Sequence, residues 1–310
     1  MSMALAITPL ENVGVEVSDF DITQTIDNAL KSELVSLWNK HAILVFRGQN
    51  IDPKRQIEFS RIFGPLALHP LKETTSAEYP ELFMLVNEPE KERYHTASYN
   101  GELIVGRLDW HWDLLYTGKP NRGALLRSVV CAEEDGLTGF ADMDKAYAAL
   151  DTDTKALLEK IEVAYCFSMN RRHMRYVDLE GYEPGPHSPT KPADLNYPDF
   201  PDVAYPAVIS HPATGRKILK ICDQFLDRVV APHKAGLCND EAVDLLERLV
   251  AHIRKPEFHY FHRWNEGDMV LWDNWNATHY ATGTKPGVKR VIHRTTIEGD
   301  ATLGRVLETS

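Results

Sequence analysis

A chain of 310 residues, 43% of them hydrophobic, is long enough to fill a sizeable core, and a globular enzyme is the default reading. Its 45 acidic against 34 basic residues give a formal charge of -11, which argues against a nucleic-acid ligand, because such binding draws on clustered Lys and Arg. Four scattered cysteines (Cys131, Cys166, Cys222, Cys238) form no C-x-x-C pair, the first residues Met1 to Ile7 lack a basic leader, and no apolar run nears the ~18 residues of a membrane span. A cytoplasmic protein with reduced thiols is expected, outside the membrane.

In chain order, Leu30 to Lys40 carries Leu30, Leu34, Leu37 and Trp38 at helical spacing and leads into a strand, Ala42 to Phe46. Pro53 suits a first helical turn, and the helix it opens runs through Phe63 until Gly64-Pro65 stops it. Leu82 to Val86 and Gly123 to Val130 read as buried strands. The polar stretch Asn87 to Arg107 and the proline-rich segment 168–206, with prolines at 184, 186, 189, 192, 198, 201 and 206, read as irregular covers over a site. A turn at His211-Pro212-Ala213-Thr214-Gly215 precedes a helix begun by Asn239-Asp240-Glu241, with Val243, Leu246, Leu249, Val250 and Ile253 on its apolar face. Strands return at Met269 to Trp272 and Val288 to Ile297. No repeat or linker divides the chain, so one domain over 1–310 is expected: mainly β with helical padding, a jelly roll or sandwich.

The sharpest local feature is Trp110-His111-Trp112-Asp113, because residues two apart on a strand point to the same side. His111 and Asp113 can therefore reach one metal, and one further imidazole would complete a two-histidine, one-carboxylate face with three positions open. Taken alone, an H-x-D is more often a chance or surface pair than a ligand pair. Arg290 and Arg294 share strand parity, so both can face an interior anion while His293 faces away; the competing reading is a solvated face. His259 and His262 fall on opposite faces of a strand, and His173, His187, His233 and His252 lack partners at ligand spacing. His211 reads as a hydrogen-bonded turn residue.

The C-terminal third, Gly267 to Ala281 with Arg290 and Arg294, resembles the taurine dioxygenase (TauD/TfdA) family of Fe(II)/2-oxoglutarate-dependent dioxygenases. The resemblance runs from Ile7 to Asp300 through Phe63-Gly64-Pro65, His69-Pro70, the H-x-D, Thr138 to Met143, the His211 turn, Trp272-Asp273-Asn274, His279-Tyr280-Ala281 and Arg290 to Arg294. It implies a double-stranded β-helix core and Fe(II) held by His111, Asp113 and His279. It also implies that Thr138 and Arg290 grip the distal carboxylate of 2-oxoglutarate, with Arg294 near that co-substrate and near the substrate anion. A guanidinium fork suits such a carboxylate. With O2, the family's reaction oxidises a small organic substrate and decarboxylates 2-oxoglutarate to succinate. The intact Asp113 favours hydroxylation or oxidative cleavage over halogenation.

Substrate contacts implied by the resemblance are His69, Leu114 and Arg294, joined by Arg107 and Trp112 where the chain departs from the family pattern. Lys72 and Arg107 stand where the taurine enzymes have Tyr and Asn, and both bring positive charge that disfavours an ammonium group. Trp112 and Trp275 add aromatic area that would suit a flat substrate if it lines the pocket; each is equally a core residue. A non-catalytic jelly-roll binding protein and a zinc hydrolase are the other readings, and a dimer or tetramer is left open.

Overall fold

The computed structural model describes residues 5–68, 75–87, 96–185 and 199–308. Two sheets face each other as a jelly roll. The larger has eight strands, in the order Ala6–Pro9, Val15–Ser18, Ile43–Phe46, Met269–Asp273, Gly123–Val130 and Arg290–Ile297, with Leu66–Ala67 and Leu82–Asn87 sharing the free edge of Arg290–Ile297. The smaller runs His259–His262, Thr138–Asp142, Ala277–Ala281, Leu108–His111. No described helix is long and apolar enough to cross a membrane.

Strand alternation sorts the large sheet into two faces. Ile43, Val45, Ala124, Leu126, Val270, Trp272 and Ile292 point into the gap and pack with Phe140 of the small sheet. Leu44, Phe46, Leu125, Met269, Leu271 and Ile297 point outward, under Leu34 and Trp38 of helix Asn28–His41 and Phe59 of helix Pro53–Ser60. Gly123 sits where the helix presses closest: a Cβ there would lie 2.6 Å from the Trp38 ring and 2.3 Å from the Trp272 carbonyl oxygen. Asp27 and Asp52 cap the two helices by accepting from Leu30 and Arg55 N–H groups, each cap contributing about 1 kcal/mol.

Helix Asn239–Ile253 packs on strand Leu226–Val230 of a further four-stranded sheet, and its buried face, Ala242, Leu245, Leu246, Leu249, Val250 and Ile253, joins the core that includes Trp110 and Ala141 of the small sheet. Val243 is only partly buried; Ala242 and Leu245 take the place expected for it. The cap is Cys238, which accepts from Glu241 N while Glu241 accepts from Cys238 N at 2.7 Å.

Three other expectations change. Leu82–Asn87 lies at the sheet edge, with Val86 36% exposed, because among the described residues Arg290–Ile297 is the one strand paired along it, apart from a single bridge between Thr75 and Phe83. Within 87–107, of which 88–95 lie outside the described residues, Thr96–Tyr99 and Glu102–Val105 form a hairpin around Asn100-Gly101, both at positive φ, the backbone of a two-residue hairpin turn. Within 168–206, Tyr182–Pro184 pairs with that same hairpin as an edge strand, which accommodates Pro184, and Val203–Pro206 joins a separate four-stranded sheet, where Pro206 lies at the strand end beyond the pairing of Val203 and Ala204 with Arg305–Val306.

Candidate active site

His111 ends one strand of the small sheet, His279 lies opposite it on the next, and their ring centroids are 4.0 Å apart. Asp113, two residues on, presents Oδ1 3.9 Å from His111 Nε2 and 3.6 Å from His279 Nε2. One ligand atom from each residue falls within 4.8 Å of the others, the only such cluster of three among the described residues. The His111 ring is fixed by Nδ1, which donates to the Asp109 carbonyl at 2.7 Å and leaves Nε2 free to coordinate.

The electrostatics suit a cation. Burial pushes both imidazoles below the usual histidine range, His279 further because His111 stands beside it, so both are neutral donors at neutral pH. Burial alone would raise the Asp113 carboxyl, but Arg294 and the two histidines outweigh it and hold it well below the carboxylate range. Arg294 Nη2 lies 2.5 Å from Asp113 Oδ2, and its Nε donates to Thr296 Oγ1 at 3.1 Å. Two neutral nitrogens and one ionised oxygen are a donor set that suits a divalent metal ion with further positions open.

Arg290 shares parity with Ile292 and Arg294 and so faces the gap, whereas His293 faces the helices and contacts Arg127 at 3.3 Å. The irregularity beside it falls in the partner strand, where Val129 is the extra residue, so the alternation of Arg290–Ile297 survives. Among the described residues no hydrogen bond or ion pair engages the Arg290 guanidinium, and burial lowers it to about 10. Its stem runs past Gly136, where a Cβ would lie 3.0 Å from Arg290 Cδ and Nε. Thr138, on the inner face of the small sheet, accepts from Trp264 Nε1 at 3.0 Å and keeps its own O–H to donate. A cation with no anion among the described residues, facing the same gap as a hydroxyl donor, fits the far carboxylate of a dicarboxylate.

Other expected site residues are placed differently. The parity that brings His111 and Asp113 together sends Trp112 to the opposite face. It is 1% exposed there, with Lys220 Nζ 3.3 Å above its ring, and belongs to the core rather than to a substrate wall. Trp275 is likewise core: it packs against Arg122, and its Nε1 donates to the Pro120 carbonyl. Arg107 stacks 4.1 Å over Tyr99 of the hairpin and lies 3.8 Å from both Asp109 and Asp178. Leu114 adopts a left-handed conformation that turns the chain off the ligand strand. His69 and Lys72 lie outside the described residues.

Two supports were not anticipated. Asp273, fully buried, is held by Arg122 and by His211 Nε2 at 2.9 Å, which makes the turn histidine part of a charged network. Asn274 contacts the backbone of Asp113 on both sides. Trp272-Asp273-Asn274 was visible as a motif; its partners, more than 60 residues away in sequence, were not.

A jelly roll whose gap is faced by two histidines and a carboxylate is the architecture of the 2-oxoglutarate-dependent dioxygenases, and this protein is one of them. The chain belongs to the TauD/TfdA family: residues 6–296 match the family described as taurine catabolism dioxygenase TauD, TfdA family. It is 31% identical to the (S)-phenoxypropionate/alpha-ketoglutarate-dioxygenase of Sphingobium herbicidovorans, over 97% of each chain. It is 30% identical to the alpha-ketoglutarate-dependent 2,4-dichlorophenoxyacetate dioxygenase of Cupriavidus pinatubonensis, over 96% of this chain and 98% of that one. A solved structure of AAD-2 in complex with Mn(II) and N-oxalylglycine superposes with a TM-score of 0.71 at 26% identity, covering 97% of this chain and all of the other.

Proposed function

We propose that His111, Asp113 and His279 bind Fe(II), that Thr138 and Arg290 hold the distal carboxylate of 2-oxoglutarate, and that O2 is the second co-substrate. The observation that carries this reading is Arg290, a cation shielded from solvent with no hydrogen-bond or ion-pair partner among the described residues, on the strand face that meets the same gap as the three ligands. Iron bound there would supply the oxygen activation that couples decarboxylation of 2-oxoglutarate, giving succinate, to oxidation of a substrate C–H bond. The protein's part is placement: the imidazoles arrive neutral, Asp113 arrives ionised, and the fork of Arg290 orients the dicarboxylate.

The substrate in this reading is a small organic anion with an aromatic group, held through Arg294, Leu114 and His69, with the segments 87–107 and 168–206 as covers. The relatives named for phenoxypropionate and 2,4-dichlorophenoxyacetate support an aryloxy acid. Arg107, a cation where the taurine enzymes have a neutral side chain, opposes the ammonium of taurine. The test is a panel of aryloxyalkanoic acids, aryl carboxylates, sulfonates and taurine, with succinate and oxidised product measured separately. An aryloxy acid should give both in equal amounts; coupled turnover of taurine with none of any aryloxy acid would overturn the assignment.

A further inference from the structure

Asp113 is the one proposed ligand outside a strand. The ladder of its own strand ends at His111, so its N–H and C=O have no β partner, yet the residue must hold a carboxylate steady against Arg294. The Asn274 side chain supplies what the ladder does not. Its Oδ1 accepts from Asp113 N at 3.0 Å, and its Nδ2 donates to the Asp113 carbonyl at 3.1 Å. A carboxamide offers donor and acceptor side by side, as a peptide does; serine offers one group, and aspartate cannot donate. Asn274 is 0% exposed, and Nδ2 also lies 3.1 Å from both oxygens of Asn121. Its backbone N–H donates to the Arg122 carbonyl at 3.0 Å, while the preceding Asp273 is gripped by Arg122 and His211. The same turn leads directly into the strand that carries His279. One turn, crossing from the large sheet to the small one, therefore leads into the strand of one ligand and clasps the backbone of another.

We propose that Asn274 is a positioning residue, whose amide replaces the missing strand partner of Asp113 and sets the carboxylate for metal binding. This rests on the metal reading given above. Supports of this kind commonly change metal affinity 10–100-fold. The test is Mn(II) binding to the purified protein without 2-oxoglutarate, followed by electron paramagnetic resonance, for wild type, Asn274→Ala and Asn276→Ala. Asn276 is also fully buried in this turn and accepts from Asp144 N at 3.2 Å, but it does not touch Asp113, so it reports what losing a buried amide does by itself. Asn274→Ala should weaken Mn(II) at least about tenfold; Asn276→Ala should stay within about twofold at a comparable fall in Tm. If Asn274→Ala does not fold, Asn121→Ala, which loosens the amide but keeps the clasp, should weaken Mn(II) more than Asn276→Ala does. Equal affinity in Asn274→Ala and wild type, or equal losses in the test and control variants, would overturn the proposal. Failure of wild type to bind Mn(II) would instead overturn the metal reading beneath it.

Discussion

At the scale of single residues, the two inward arginines differ in what already engages them. Arg294 is tied to Asp113, whereas Arg290 has no anion among the described residues. With charged hydrogen bonds worth roughly 1.5–3 kcal/mol, Arg290→Ala should raise the apparent 2-oxoglutarate constant at least about tenfold. Arg290→Lys should recover only part of the loss, because an ammonium cannot form the two-pronged contact. Titrating 2-oxoglutarate against succinate release measures both, and an unchanged constant in Arg290→Ala would remove the residue from the co-substrate site. Lys220 is a cation buried more completely: it is 0% exposed, Nζ has no hydrogen-bond partner among the described residues, and burial pulls it down to about 7 from 10.5. Between those two values the unfolded chain binds the proton and the folded chain does not, so stability rises with pH across this window and is lost as pH falls toward 7. From pH 7 to 9 wild type should gain about 2 kcal/mol relative to Lys220→Met, in urea unfolding at each pH. Parallel stability curves for the two proteins would show that Lys220 is charged in the fold.

At the scale of elements, what the sequence disclosed followed from period and parity. Both N-terminal helices, the central strand Gly123–Val130, the strand Met269–Asp273 and the inward pairing of Arg290 with Arg294 were legible, because each rests on local alternation that the tertiary structure leaves intact. The same rule, applied one residue further, sends Trp112 away from the ligands; its size drew attention to it before its parity was considered. The hairpin Thr96–Val105 also had a local signal in Asn100-Gly101, obscured by reading the whole stretch by polarity. The roles of Asn274, Arg122 and Arg171 had none. Asn274 meets Asp113 across 161 residues, Arg122 meets Asp273 across 151, and Arg171 reaches Asp109 from a short turn in a segment read as structureless. Such contacts are fixed by how the sheets are wound, which no window of sequence contains.

For the whole molecule, the two sheets divide the labour. The small sheet carries His111, His279 and Thr138, the large sheet brings Arg290 and Arg294 from across the gap, and Asp113 projects at the rim where the turn of Asn274 receives it. In the proposed reading the metal ligands and the co-substrate's arginine meet only when both sheets are packed together, so their coupling is a property of the closed jelly roll and of no single segment. Tyr182–Pro184 pairs with the hairpin Thr96–Val105, and Arg171, bound to the buried Asp109, ties its segment to the strand that holds His111. The central claim is that these groups form one site in which iron and 2-oxoglutarate bind together. It is tested most directly by adding 2-oxoglutarate anaerobically to the Fe(II)-loaded protein and recording the visible spectrum. A weak charge-transfer band that saturates at one 2-oxoglutarate per chain and is absent from His279→Ala is the expected result; a wild-type protein that binds both components without developing the band would contradict the account.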